Sequence, residues 1–182
     1  LVTGYAGFKG SWLCIWLKML GAEVYGYGLI QENEEDNFHR TGLHKQINHQ
    51  IGDVTNFQRL NDYFQLVKPN IAFHLAAQAV VLESYENPQR TFATNVMGTV
   101  SFFEAIRNCS SVKSAVNVTS DKCYRNEEKH DSFSESDFLG GIDPYSASKS
   151  CAEIIQYSYQ RSFLNSKESC KTASVRAGNV IG

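Results

Sequence analysis

The sequence has almost no surplus of charge: 17 lysines and arginines stand against 19 aspartates and glutamates, a formal net charge of −2 over 182 residues. It therefore lacks the basic surplus that would hold nucleic acid or an acidic membrane surface. It lacks any apolar run long enough to span a bilayer. It also lacks a Cys-x-x-Cys pair, an internal repeat and a low-complexity tract. The five cysteines (Cys14, Cys109, Cys123, Cys151 and Cys170) are scattered and odd in number, so they read as reduced thiols of a cytoplasmic protein. No signal peptide is visible, and both ends read as cut at strands, so a fragment is expected. What remains, 42% apolar and 20% charged, is the composition of a globular chain with enough residues for one domain and a sizeable core.

Strand and helix signals alternate along the chain, which predicts an α/β fold: a Rossmann-type, doubly wound parallel sheet. Leu1-Val2-Thr3 reads as the end of a strand. Gly4, Gly7 and Gly10 follow it, and residues 8–20 form an apolar-rich helix that Gly21 ends. Glycines so spaced let backbone approach a pyrophosphate, and the helix N-terminus then favours the anion. Further strands are expected over 23–29, 47–51, 71–75, 112–118 and 172–177, with helices over 56–67, 88–109 and 144–163. Within the 88–109 helix, Phe92, Val96, Val100, Phe103 and Ile106 read as the core stripe, and Asn95 as a polar residue bonded to a neighbouring loop. His74 lies in an apolar strand and reads as a core histidine.

Residues 31–46 are polar and read as a loop. His39, His44 and His49 recur every five residues, a spacing that suits neither a helix face nor zinc. They read as solvated, and no metal site is expected. One residue is missing where a rule places it. No acidic side chain ends the second strand to hold the adenosine ribose of NAD, and Glu32 comes three residues late, so NAD against NADP stays open by that rule.

The chemistry concentrates in the second half. Asp143 can cap a helix opened by Pro144, and Tyr145 and Lys149, four apart, share one face of it. A phenol ionises near pH ~10. A neighbouring ammonium lowers that value and gives a usable general base. Thr119-Ser120-Asp121-Lys122 follows a strand and points a hydroxyl, a carboxylate and an amine at the same cleft. Ala76-Ala77-Gln78 ends another strand, where ligands bind in open parallel sheets.

These residues resemble the extended short-chain dehydrogenase/reductase superfamily, over essentially the whole chain. Four stretches carry a narrower resemblance, to its nucleotide-sugar 4,6-dehydratases: residues 3–12, 74–78, 119–124 and 176–182. The related dTDP-glucose enzymes carry Asp-Glu where this chain has Asp121-Lys122, and Phe8-Lys9-Gly10-Ser11-Trp12 favours a CDP-linked sugar. The resemblance implies a lyase that uses recycled NAD to convert CDP-glucose to its 4-keto-6-deoxy form, in deoxysugar and lipopolysaccharide biosynthesis. It implies that residues 1–182 are the NAD-binding domain of a longer chain whose C-terminal substrate domain is missing, and that the protein is a homo-oligomer, a dimer or tetramer.

By the same resemblance, Tyr145 takes the proton from the C4 hydroxyl, Lys149 lowers the Tyr145 pKa and meets the nicotinamide ribose, and Ser120 holds O4. Lys122 is the base at C5 and Asp121 the acid at C6. Gly4, Gly7, Phe8, Lys9 and Gly10 hold the pyrophosphate, and Asp53 and Val54 meet the adenine. Ala76, Ala77, Gln78, Thr94, Val118 and Val180 line the cofactor, and Asn179 meets the sugar or its phosphates. The alternatives are another nucleotide-sugar dehydratase or 4-epimerase of the superfamily, or a non-catalytic NAD-binding domain. The epimerase does not need the Asp121-Lys122 pair, and the non-catalytic domain needs none of the five polar residues.

Overall fold

A computed structural model describes residues 1–30, 35–126, 132–166 and 170–181. Its six strands are β1 (Val2–Thr3), β2 (Tyr25–Gly28), β3 (Asn48–Ile51), β4 (Ile71–His74), β5 (Ser114–Val118) and β6 (Lys171–Val175). All pair in parallel, in the order β3-β2-β1-β4-β5-β6. Val2 lies opposite Gly26 on one side and Phe73 on the other. The chain thus winds outward from β1 in both directions. The topological switch lies between β1 and β4, where a crevice opens at the C-terminal ends of the strands.

Helices cover both faces, as parallel strands require. On one face α1 (Phe8–Met19) packs Cys14 with Val2, Tyr5 and Val24. On the other, α3 (Phe57–Val67), α6 (Gly98–Asn108) and α7 (Pro144–Ser162) bury Leu60, Phe64, Phe102, Phe103 and Ile106 against Ala72 and Ala115. The period of two along β4 sends Ala72 to this second face and Phe73 to the first. Ile71, expected within a buried strand, is 49% exposed at the strand's start. Among the described residues no helix is long and apolar enough to cross a membrane.

Two expectations are corrected. The stretch 31–46 is not simply a loop. Residues 31–34, Glu32 included, lie outside the described residues, but beyond them come α2 (Asn37–Arg40) and a 3₁₀ turn (Leu43–Lys45), each burying one apolar side chain, Phe38 and Leu43. The three histidines are half-buried around Phe38 rather than solvated, with ring centroids 5.2 Å (His39), 6.0 Å (His44) and 6.1 Å (His49) from it. A short helix followed by a 3₁₀ turn and a strand folds a five-residue spacing onto one ring.

The expected 88–109 helix is also not continuous. It comprises α5 (Pro88–Phe92), a π-helical turn (Ala93–Met97) and α6, preceded by α4 (Val81–Glu86). The wider turn inserts a residue and shifts the buried face. Thr91, Asn95, Thr99, Phe102, Phe103 and Ile106 are buried, while Phe92, assigned to the core by a uniform period, is 37% exposed. Asn95 does bond a neighbouring loop, at Gln78. His74 is the core histidine expected: its Nδ1 lies 2.8 Å from Thr3 Oγ1, and Phe102 stacks on its ring.

Candidate active site

The crevice is floored by glycines. The chain leaves β1 through Gly4 at φ +69°, where a Cβ would come within 2.6 Å of the Ala76 amide nitrogen. A Cβ on Gly10 would sit 2.0 Å from the Gly4 carbonyl oxygen. Gly7 caps α1 with no side-chain hydrogen bond, and the first turn carries no acidic residue. The leading amides of α1 are thus offered to a ligand, the arrangement that holds an anion. Lys9 is half-buried there, and burial pulls its ammonium below the usual lysine range. Phe8 is 48% exposed. The Tyr5 ring turns away into the core, filling the space over Gly26 and meeting Phe38 edge-on at 5.3 Å.

The other residues assigned to the cofactor lie along the same strand ends. Ala76 and Ala77 are half-buried beyond β4, and Val118 is half-buried at the end of β5. Gln78 is buried, but its amide turns back on its own loop, donating to the Val80 carbonyl at 2.9 Å and accepting from the Val80 N–H at 3.1 Å. It shapes the loop rather than offering a free amide. Asp53 accepts from the N–H and the hydroxyl of Thr55, both at 2.8 Å. Val54 is buried, against Gly98 of α6. Thr94 is half-buried on the π-helical turn, whereas Asn179 and Val180 are exposed after β6.

Local signals set the helix of Tyr145 and Lys149 as expected. Asp143 caps α7, accepting from the Ser146 N–H at 2.9 Å, with Pro144 in the first turn. Tyr145 and Lys149 are both buried, 9% and 7% exposed, and the Lys149 Nζ lies 5.8 Å from the Tyr145 ring centroid. Ser120 Oγ donates to Asp121 Oδ1 at 2.9 Å and accepts from the Lys122 N–H at 3.2 Å. Ser120 also acts on Tyr145, favouring its ionised form. The fold therefore brings Ser120, Asp121, Tyr145 and Lys149 together. Gly178 stands beside Asp121, whose N–H donates to the Ala177 carbonyl at 3.0 Å. Lys122 is exposed, and the described residues do not build the dry surrounding that a neutral lysine base needs.

The electrostatics differ from the sequence expectation. Burial pushes the Tyr145 phenol above its ordinary range, Ser120 opposes that, and Asp121 and Asp143 add to it. Lys149 is pulled down to about 8, chiefly by burial and then by Lys9. Within these 182 residues the pair is a phenol and a softened ammonium, not a phenolate.

Some supporting contacts went unread in the sequence. Ser84, fully buried on α4, accepts from the Tyr145 N–H at 3.2 Å. Asn95 donates to Ser148 Oγ at 2.8 Å, tying the π-helical turn to α7 between Tyr145 and Lys149. Glu153 and Arg176 form a mostly buried ion pair at 2.9 Å. Beyond Asn95, already read as bonding a loop, the residue with a signal was Glu153, by its place four residues beyond Lys149 on the same helix face.

A doubly wound parallel sheet with a glycine cradle at its switch point and a buried Tyr–Lys pair beside it defines the class: a Rossmann-type, dinucleotide-binding domain of the epimerase and dehydratase kind. The model of the GDP-mannose 4,6 dehydratase family matches residues 1–169, and the chain belongs to that family. It is 45% identical to a CDP-glucose 4,6-dehydratase of Salmonella typhimurium over 185 residues, covering 100% of this chain and 52% of that protein. It is 31% identical to a UDP-glucuronate 4-epimerase of Thermodesulfobacterium geofontis, covering 87% of this chain and 50% of that one. Among solved structures, a UDP-glucose 4-epimerase of Brucella ovis in complex with NAD superposes with a TM-score of 0.81 at 25% identity, over 98% of this chain and 51% of the other. The chain spans about half the length of the curated relatives it matches.

Proposed function

We propose that the whole protein is a CDP-glucose 4,6-dehydratase and that residues 1–182 are its NAD-binding domain. The observation that carries this is the bonded Ser120–Asp121 pair beside buried Tyr145 and Lys149. Removing a proton from a sugar hydroxyl needs Tyr145, Lys149 and Ser120; protonating a departing hydroxyl needs a further acid, and Asp121 stands beside them. The 45% identity to the Salmonella enzyme supports the choice of CDP-glucose.

The cradle fits a dinucleotide: Gly4 and Gly10 stand where a Cβ would fill the floor, and the α1 amides face the opening without a side-chain cap. Gly4, Gly7, Phe8, Lys9 and Gly10 would hold the diphosphate of NAD, with Asp53 and Val54 at the adenine end and Ala76, Ala77, Gln78, Thr94, Val118 and Val180 along its length. Bound NAD supplies the hydride acceptor for C4 and, once reduced, the donor for C6. Tyr145, ionised once the remainder of the protein and the cofactor complete the site, accepts the C4 hydroxyl proton, Lys149 sits beside it as a cation, and Ser120 bonds O4. The resulting ketone acidifies C5–H. Lys122 takes that proton once the remainder of the protein encloses it, Asp121 protonates the leaving hydroxyl, and Asn179 contacts the sugar or its phosphates. The protein is proposed to be a cytoplasmic homo-oligomer of lipopolysaccharide sugar synthesis. Phe92, Met97, Ile154 and Tyr157, exposed on the π-bearing helix and α7, support the association.

The test uses the full-length protein with CDP-glucose and, separately, dTDP-glucose, reading the alkali-induced absorbance of a 4-keto-6-deoxy sugar. Signal with CDP-glucose, lost in Asp121→Asn, is expected. Signal with dTDP-glucose alone would reject the base preference. Product epimerised at C4 without loss of water would replace the dehydratase with an epimerase.

A further inference from the structure

One turn beyond Lys149 on α7, the Glu153 carboxylate is 5% exposed and fully engaged. It accepts from Arg176 Nη2 at 2.9 Å, from Ser174 Oγ at 2.8 Å and from Thr119 Oγ1. Thr119 immediately precedes Ser120. Arg176 turns its other terminal nitrogen to the Tyr124 hydroxyl at 2.9 Å and the Glu135 carbonyl at 3.2 Å, and its guanidinium lies 4.9 Å from the Tyr124 ring centroid. Tyr124 stacks on Phe133 at 4.7 Å. One ion pair therefore joins four pieces: the helix of Tyr145 and Lys149, the strand end that starts the Ser120–Lys122 turn, the exit of that turn, and the segment around Phe133 and Glu135. A pair serving stability alone could be replaced by apolar residues with little loss. Here each hydrogen-bonding edge leads to a different side of the crevice.

We propose that Glu153 and Arg176 are positioning residues of the reaction: the pair sets the spacing of Ser120 and Asp121 from Tyr145, and the Glu153 carboxylate, one helical turn along from Lys149, is the counter-charge of that ammonium. This rests on the dehydratase reading of the site. The titratable groups facing Lys149 are Lys9 from α1, His74 from β4, Cys123 from the turn, and Tyr145 and Glu153 from its own helix. Burial and Lys9 draw the lysine down, and Cys123 and Glu153 oppose them. Burial keeps His74 neutral and the Cys123 thiol protonated, so among the described groups the Glu153 carboxylate is the standing negative charge near Lys149 at neutral pH.

The experiment takes full-length protein as wild type, Glu153→Gln and Arg176→Lys. Three quantities are measured: kcat and KM for CDP-glucose across pH, the pH dependence of acetic anhydride labelling at Lys149 by mass spectrometry, and the thermal midpoint. In E153Q, kcat falls on the order of a hundredfold, because small misplacements of reacting groups cost that much, while KM changes little. The Lys149 labelling midpoint drops below that of the wild type, because a carboxylate that opposes the lowering by burial and Lys9 is gone. R176K keeps a charge for Glu153 but loses the fork to Tyr124 and Glu135, so kcat falls while the labelling midpoint stays. If both variants melt earlier but keep wild-type kcat, pH profile and labelling midpoint, the pair is structural only and the proposal is wrong. If the wild type turns over no CDP-glucose, the dehydratase reading fails instead. The labelling comparison still decides the Glu153 proposal, and an E153Q midpoint unchanged from wild type rejects it.

Discussion

Gly10→Ala tests the cradle directly. Gly10 is the third residue of α1, where alanine is ordinarily the better residue by about 1 kcal/mol. Its added Cβ would lie 2.0 Å from the Gly4 oxygen, 2.8 Å from the Gly4 carbonyl carbon and 2.9 Å from the Tyr5 Cα. All three are backbone atoms, so no rotamer relieves the clash. Reaching an ordinary contact of about 3.4 Å moves α1 and the Gly4 turn apart by more than an ångström. Overpacking of this kind costs about 3 kcal/mol at the upper end of its usual range. Less the propensity gain, roughly 2 kcal/mol remains, which is about 4–8 °C in a domain of this size. The same separation splays the amides from the diphosphate they would hold, and NAD affinity falls by roughly tenfold or more. Gly21→Ala is the control. At φ +84° with nothing within 4 Å, it meets only backbone strain, about 1 kcal/mol, and leaves binding unchanged. Calorimetric melting and NAD titration of the full-length protein decide the matter. A Gly10→Ala protein that binds NAD like wild type and melts no lower than Gly21→Ala would refute the close approach of α1 to Gly4.

The π-helical turn makes opposite forecasts for two phenylalanines ten residues apart. Phe102→Ala, at a fully buried ring, should cost about 3–5 kcal/mol in urea unfolding, and Phe92→Ala under about 1 kcal/mol. Equal losses would restore the uniform helix. His74→Gln tests acid sensitivity. Burial and then the Lys149 charge lower the folded His74 pKa to about 3, against 6.5 when unfolded. The unfolded chain therefore binds a proton that the folded chain refuses. Wild-type stability falls as pH drops from 6.5 toward 3, and above 6.5 the group contributes nothing. Between pH 6.5 and pH 5, urea unfolding should show wild type losing about 2 kcal/mol relative to the glutamine variant. A difference independent of pH would mean that His74 takes up its proton in the fold.

What could be read in the sequence follows from how locally each feature is determined. The glycine turn, the Asp143–Pro144 start of α7 and the strand–helix alternation are contracts between near neighbours, and each stands within a few residues of its expected bounds. The histidine cluster and the shifted face of the 88–109 stretch are not. His39, His44 and His49 converge because α2, a 3₁₀ turn and β3 fold back over Phe38, which no spacing in one dimension encodes. The π-helical turn is held from outside the helix, by the bonds of Asn95 to Gln78 and Ser148. Counting at a fixed 3.6 residues therefore keeps Phe103 and Ile106 on the buried face but misplaces Phe92 on the other side of the turn. Tyr145 and Lys149 were legible as a pair, whereas the Ser84 contact behind Tyr145 arises from a residue 61 positions away.

Their electrostatics were least legible, because a charge effect written as a spacing ignores burial. Tyr145 is 9% exposed, and removing a phenolate from water opposes ionisation more than an ammonium beyond the ring face assists it. The influence that favours the phenolate in this domain is Ser120, with Asp121 and Asp143 acting against it. Ser120→Ala should accordingly raise the Tyr145 pKa further, and Asp121→Asn should lower it. The ultraviolet difference titration of tyrosinate, with Tyr145→Phe subtracted, reads this in the full-length protein. Ionisation at higher pH in Ser120→Ala and at lower pH in Asp121→Asn is the expected order. If Ser120→Ala leaves the titration unmoved while Lys149→Met raises it strongly, the ammonium governs the phenol after all, and the pair works as its four-residue spacing suggests.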